Sequence, residues 1–167
     1  MTAGRAFRVL VLCTGNSARS QIGEALLTTK GATRAAGRVE AASAGTHPAS
    51  GVHPGAITQL DAHGIPWRNR VPKHIDDIAG ERFDLVVTVC DNARDACPIF
   101  PGVQAQVHWG LADPAGETDP VAARRAFADT FDALEARVNA LLALPLESLE
   151  PAEVARRAQA IHFTVDA

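Results

Sequence analysis

The chain has 167 residues, 47% of them hydrophobic and 21% charged, with a formal net charge of −3. That length suits one domain with one core, and 40 Val, Ile, Leu and Phe residues exclude an intrinsically disordered chain. The mildly acidic balance argues against a general nucleic-acid binder; residues 1–83 carry ten basic and six acidic groups and residues 84–167 six and thirteen, so a small anion suits the first half while a polyanion is repelled by the second.

Strand and helix signals alternate from the start. Phe7–Leu12 is a short apolar run, as expected of a strand covered on both faces. No early apolar run exceeds Val9–Cys13, which is shorter than a signal-peptide core. A cytoplasmic protein with no membrane partner is therefore expected. Ser20–Lys30 reads as a helix with Ile22, Ala25, Leu26 and Thr29 on one side, interrupted by Gly23 at roughly 1 kcal/mol relative to Ala. Val39–Ala44 is a weaker strand closed by Gly45. Pro54–His63 is a helix with Ile57 and Leu60 inward and Gly64 at its C-cap.

Phe83–Val89 is the clearest strand, rich in β-branched residues, and Val103–Trp109 gives a fourth. Asp119-Pro120 opens a long helix as N-cap and first helical residue. Its apolar stripe is Phe127, Phe131, Leu134, Val138 and Leu141, with Arg124, Asp129, Asp132 and Arg137 elsewhere. A short helix over Pro151–Ile161 is expected to pack on the outside, within a C-terminal helical tail, 145–167, of a single domain 1–167. Four strands joined by helical crossovers imply an α/β fold: a four-stranded parallel sheet with helices on both faces. Ligands of such sheets sit beyond the carboxyl ends of the strands, where Cys13, Cys90 and the loop after Trp109 all fall.

Cys13-Thr14-Gly15-Asn16-Ser17-Ala18-Arg19-Ser20 is the first chemical motif. A cysteine ends a buried strand, a small polar loop follows, and a helix starts within it. Such a loop can turn successive N–H groups inward as an anion cradle at a helix N-terminus. Arg19 closes it as a two-pronged donor to oxyanion oxygens. The same positive environment favours a Cys13 thiolate, a nucleophile at neutral pH. The plainer reading is a buried cysteine beside a solvated arginine.

The second motif is Cys90-Asp91-Asn92-Ala93-Arg94-Asp95-Ala96-Cys97-Pro98. In a regular helix its two cysteines would lie about 10.5 Å apart, beyond the ~6.8 Å that a disulfide tolerates between Cα atoms. A bridge therefore requires the segment to unwind, which Pro98 favours; taken alone, two core thiols are the competing reading. Three cysteines in all make a disulfide framework a poor one. In His108-Trp109-Gly110-Leu111-Ala112-Asp113-Pro114 an aspartate over the strand ends can donate a proton, though Asp-Pro is also a common turn. The histidines lack metal-ligand spacing and no nucleotide-binding loop is present, so neither metal nor nucleotide cofactor is expected.

Residues Val11–Gln21 closely resemble the active-site loop of low-molecular-weight protein tyrosine phosphatases, and more closely that of arsenate reductases built on the same scaffold. Ser43-Ala44-Gly45-Thr46 resembles their second-strand segment, Leu85–Ala93 with Cys97-Pro98 the reductases' redox segment, and His108-Trp109-Gly110 with Asp113-Pro114 their acid loop. The likeness covers residues 7 to about 142. It implies a thiol relay. Cys13 attacks arsenate held by residues 14–20, and Asp113 protonates the departing oxygen. Cys90 then attacks Cys13 and releases arsenite, and Cys97 attacks Cys90, leaving a Cys90–Cys97 bridge for a thioredoxin-type reductant. Asn16, Ser20 and Ser43 match positions that brace the loop. Lys73 stands where some members have a carboxylate that helps hold a potassium ion; a lysine there supplies positive charge directly, so no metal is expected. Position 18 is Ala, which leaves no extra loop cysteine. The competing readings are a phosphatase using Cys13, Arg19 and Asp113, against which Asp113-Pro114 runs into Ala115-Gly116 with no aromatic wall, and a non-enzymatic oxyanion or redox sensor.

Overall fold

The computed structural model describes residues 5–35, 37–89, 100 and 102–165. Its strands are β1 (Phe7–Cys13), β2 (Val39–Gly45), β3 (Leu85–Thr88) and β4 (Gln106–His108), and its α-helices α1 (Arg19–Arg34), α2 (Pro54–Ala62), α3 (Pro120–Leu142) and α4 (Pro151–Thr164). The strands form one parallel sheet in the order β2-β1-β3-β4. Cys13 pairs with Gly45, Leu12 with Thr88, and Thr88 with His108, so the carboxyl ends lie side by side.

Alternation along β1 divides the core. Val9 and Val11 face a cluster with Ile22, Leu26, Leu60, Phe131 and Leu134, drawn from α1, α2 and α3. Leu10 and Leu12 face the other way, onto Ala42, Ala44, Val86, Phe100 and the 3-10 turn Ile75–Ile78 with its neighbour Phe83. Each such large side chain contributes about 1.5–3 kcal/mol on burial. Gly23 gains a reason here: a Cβ there would lie 3.2 Å from Val11 Cγ1, so the glycine lets α1 run close to β1.

The expected elements are all present, with shifted ends. β3 is assigned four residues, yet Asp84 N–H donates to Arg8 O and Val89 N–H to Leu12 O, so the ladder with β1 runs past both ends. α1 begins at Arg19 and continues to Arg34. Within α1 Leu27 is buried and Thr29 exposed; within α2 Ala56 is buried and Ile57 only partly so. Gly64 has φ +75°, the left-handed conformation expected after a helix.

Two expectations change. α4 does not lie outside the body: Val154, Ala158 and Ile161 join the main core. It also closes the edge of the sheet, because the Gln159 carboxamide accepts from His108 N–H (2.9 Å) and donates to His108 O (2.7 Å), as a further strand would. Trp109 Nε1 donates to Ala158 O as well. Arg137, read as lying off the apolar stripe, is nonetheless buried beneath α4, its guanidinium donating to Ala133 O and to His162 Nδ1. Among the described residues no helix is long and apolar enough to cross a membrane.

Candidate active site

Residues 14–18 leave β1 and enter α1, whose N-cap Ala18 makes no side-chain capping bond. The carbonyls of this loop are all engaged on its outer side. Thr14 O accepts from His47 N–H, Gly15 O from Ala49 N–H, Ser17 O from His53 N–H, and Asn16 O from Gln21 Nε2, at 2.8–3.0 Å. In a trans peptide the carbonyl and the next N–H point in opposite directions. The N–H groups of Gly15, Asn16, Ser17 and Ala18 therefore turn inward, around Cys13. Asn16 N–H lies 3.2 Å from Cys13 Sγ, as this requires.

Gly45 makes the arrangement possible, since a Cβ there would overlap Thr14 O and sit 3.0 Å from Asn16 N. Asn16 adopts φ +50°, a conformation that asparagine tolerates better than most residues. All four hydrogen-bonding sites of its side chain are filled. Oδ1 accepts from Lys73 N–H (3.0 Å) and Gln21 Nε2 (3.2 Å), and Nδ2 donates to Ser20 Oγ (2.8 Å) and Ser43 Oγ (2.9 Å). The backbone N–H of Lys73 can only donate, which fixes the amide's orientation. Ser20 Oγ in turn lies 2.9 Å from the buried Cys13 Sγ.

Arg19 reaches across the loop. Nη1 donates to Leu111 O (2.8 Å), Nη2 lies 3.7 Å from Asp113 Oδ1, and the buried Nε has no partner among the described residues. A buried guanidinium N–H without an acceptor is costly, and an oxyanion is a group that could satisfy it. Leu111 is itself tied to the sheet by its N–H to Val89 O (3.0 Å). Asp113 is half-exposed and caps the turn Pro114–Gly116 through Ala115 N–H.

The structure thus brings Cys13, the 14–20 loop, Arg19, Ser43 and Asp113 together. Lys73 joins through its backbone, its carbonyl accepting from Gly45 N–H (2.9 Å). The cation placed beside the carboxylate of this network is Arg70: Nη1 lies 3.7 Å from Glu24 Oε2, while Glu24 Oε1 accepts from Ser43 Oγ at 2.5 Å. Cys90 and Cys97 lie outside the described residues. Sequence reasoning passed over Gln21, Glu24, Trp67 and Arg70. An acid amid the buried face of α1 is a readable signal for Glu24; Trp67 and Arg70 carry none.

Residues 8–159 match the family model of the low-molecular-weight phosphotyrosine protein phosphatases. Arsenate reductase 1 of Bacillus cereus is 39% identical over 109 residues, 65% of this chain and 78% of that protein. A solved arsenate reductase in its phosphate-binding state superposes with a TM-score of 0.69 at 26% identity, covering 82% of this chain and 97% of the other. A thioredoxin-dependent arsenate reductase from Corynebacterium glutamicum gives 0.63 at 29% identity, over 83% of this chain and 61% of that one.

Proposed function

The chain belongs to the low-molecular-weight phosphotyrosine protein phosphatase family, and within it we propose that it is an arsenate reductase working by a three-cysteine relay. The observation that carries this reading is the inward-facing loop around Cys13 with a buried Arg19 Nε that has no partner among the described residues. It offers a tetrahedral oxyanion hydrogen bonds on several sides, beside a thiol already approached by Ser20 Oγ and Asn16 N–H. The named arsenate reductases among the relatives support the choice of arsenate.

In the first step the Cys13 thiolate attacks arsenic. An As–S bond forms as an As–O bond breaks, and Asp113 supplies the proton with which that oxygen leaves as water. In the second, the Cys90 thiolate attacks Cys13 Sγ: the As–S bond breaks, its electron pair stays on arsenic, and As(V) leaves as As(III) arsenite. In the third, Cys97 attacks Cys90, freeing the Cys13 thiolate and leaving a Cys90–Cys97 disulfide. A thioredoxin-type dithiol returns two electrons to that bridge. The reaction needs no metal or organic cofactor.

Counting thiols after one equivalent of arsenate tests the reading. Two thiols lost per arsenite formed is the expected result. No thiol loss and no arsenite, together with ready hydrolysis of an aryl phosphate, overturns the relay in favour of a phosphatase.

A further inference from the structure

Five residues, Arg70, Glu24, Ser43, Asn16 and Ser20, connect the surface to Cys13, and their hydrogen bonds branch outward from Asn16. Asn16 Nδ2 spends its two protons on Ser20 Oγ and Ser43 Oγ. The Ser43 hydroxyl proton is then committed to Glu24 Oε1 at 2.5 Å. The Ser20 hydroxyl, already an acceptor from Asn16, has its own proton for Cys13 Sγ. Lys73 N–H sets the direction by orienting the Asn16 amide, and Glu24, as acceptor of the Ser43 proton, holds Ser43 Oγ where Asn16 Nδ2 donates to it. Glu24 is buried, its side chain 8% exposed, and an unpaired buried carboxylate is costly. Arg70 is the cation beside it. Its guanidinium also lies over the Trp67 ring, 3.8 Å from the centroid, and Trp67 Nε1 donates to Gln21 Oε1, whose Nε2 holds Asn16 O and Oδ1. Arg70 thus touches the network at both of its outer ends.

We propose that Arg70 is a positioning residue for Cys13: by holding Glu24 against Ser43 it braces Asn16, whose side-chain amide contacts Ser20 Oγ and whose backbone N–H contacts the Cys13 sulfur. Without it the buried Glu24 carboxylate loses the cation beside it and can leave Ser43, so Asn16 loses a held acceptor and Ser20 and Cys13 lose the fixed amide beside them. The inference rests on Cys13 being the nucleophile of the proposed reaction, but it concerns the reactivity of that thiol alone.

The test is the rate at which iodoacetamide alkylates Cys13 at neutral pH, followed by mass spectrometry of the tryptic peptide Val9–Arg19. Arg70 is half-exposed, so its variants fold, and thermal melting checks that they do. Arg70→Ala is expected to slow alkylation about three- to tenfold, and Arg70→Lys, which keeps the charge, to restore it to within about twofold. In a Glu24→Gln background, which has no carboxylate to hold, Arg70→Ala is expected to have no further effect. Alkylation of Arg70→Ala at the wild-type rate overturns the proposal. So does an Arg70→Lys as slow as the alanine variant, or an equal loss in the Glu24→Gln background. Arsenate takes no part in the measurement, so a failed relay and a failed Arg70 inference give different results.

Discussion

Replacing Asn16 with alanine removes a side chain that makes four hydrogen bonds at the centre of the loop. Two of its partners keep other bonds, since Ser43 retains Glu24 and Gln21 retains Asn16 O and Trp67. The N–H of Lys73 loses its acceptor, and Ser20 loses the donor that orients its hydroxyl. Leaving buried groups unsatisfied costs about 1–3 kcal/mol each. Alanine must also hold the left-handed backbone of φ +50°, at a further 1–2 kcal/mol or so. Together these give a loss of about 3–8 kcal/mol, which for a chain of this length lowers Tm by roughly 9–23 °C. Asn16→Gly relieves the backbone strain but not the lost bonds, so it should lie about 1 kcal/mol above the alanine variant. Urea unfolding of the three proteins, with Cys13 alkylation as the local readout, measures both quantities. If Asn16→Ala unfolds within about 1 kcal/mol of wild type, the network does not brace the loop and the reasoning fails.

Arg19→Lys loses the bond to Leu111 O and the planar fork, so turnover should fall by about 10²–10³ in steady-state kinetics. Gly45→Ala forces a Cβ against Thr14 O; the displaced loop should cost about 10² in turnover with the protein still folded by circular dichroism. Cys90→Ser should stop thioredoxin-coupled turnover, whereas Cys97→Ser should complete one turnover and trap a Cys13–Cys90 disulfide, identified by mass spectrometry of tryptic peptides. Burial pushes the Asp84 carboxyl up, but hydrogen bonds from Arg5 and from Arg8 N–H outweigh it and hold the group below the usual carboxylate range. A lowered folded-state pKa stabilises above the unfolded value of about 3.9 and fades as pH falls through and below it. Asp84→Asn should therefore flatten the acid limb of a stability–pH curve, with little change in turnover at neutral pH.

The loop from Cys13 to Ser20 was legible because it is local: a strand end, small residues and a helix start fall within eight positions. The same holds for Asp119-Pro120, which caps α3 through Ala122 N–H as read. What stayed hidden is set by tertiary contact. His47, Ala49 and His53 hold the loop's carbonyls from outside, yet nothing in residues 46–53 announces it. Gln159 was unreadable for the same reason: a glutamine on an exposed-looking tail acquires its role only when α4 lies along the edge of β4. Lys73 was assigned through its charge, whereas its N–H and carbonyl do the bracing, a contribution any residue but proline could make at the donor position.

Arg19 belongs to two sub-structures at once, and this brings a loop and an acid that lie far apart in sequence to one place. Its backbone starts α1, so its position follows from the helix and from β1. Its Nη1 bonds Leu111 O, in the segment that β3 fixes through Val89 O and that leads within two residues to Asp113. The guanidinium is therefore placed by the fold itself, with Nη2 3.7 Å from Asp113 Oδ1. Its Nε, without a partner among the described residues, is the donor that the proposed reaction would give to an oxyanion. An ammonium at this position could supply the charge but not both connections, because one compact head group cannot bond Leu111 and face the cradle together. The sequence requirement for arginine thus follows from the geometry of holding two partners, beyond the sign of the charge alone.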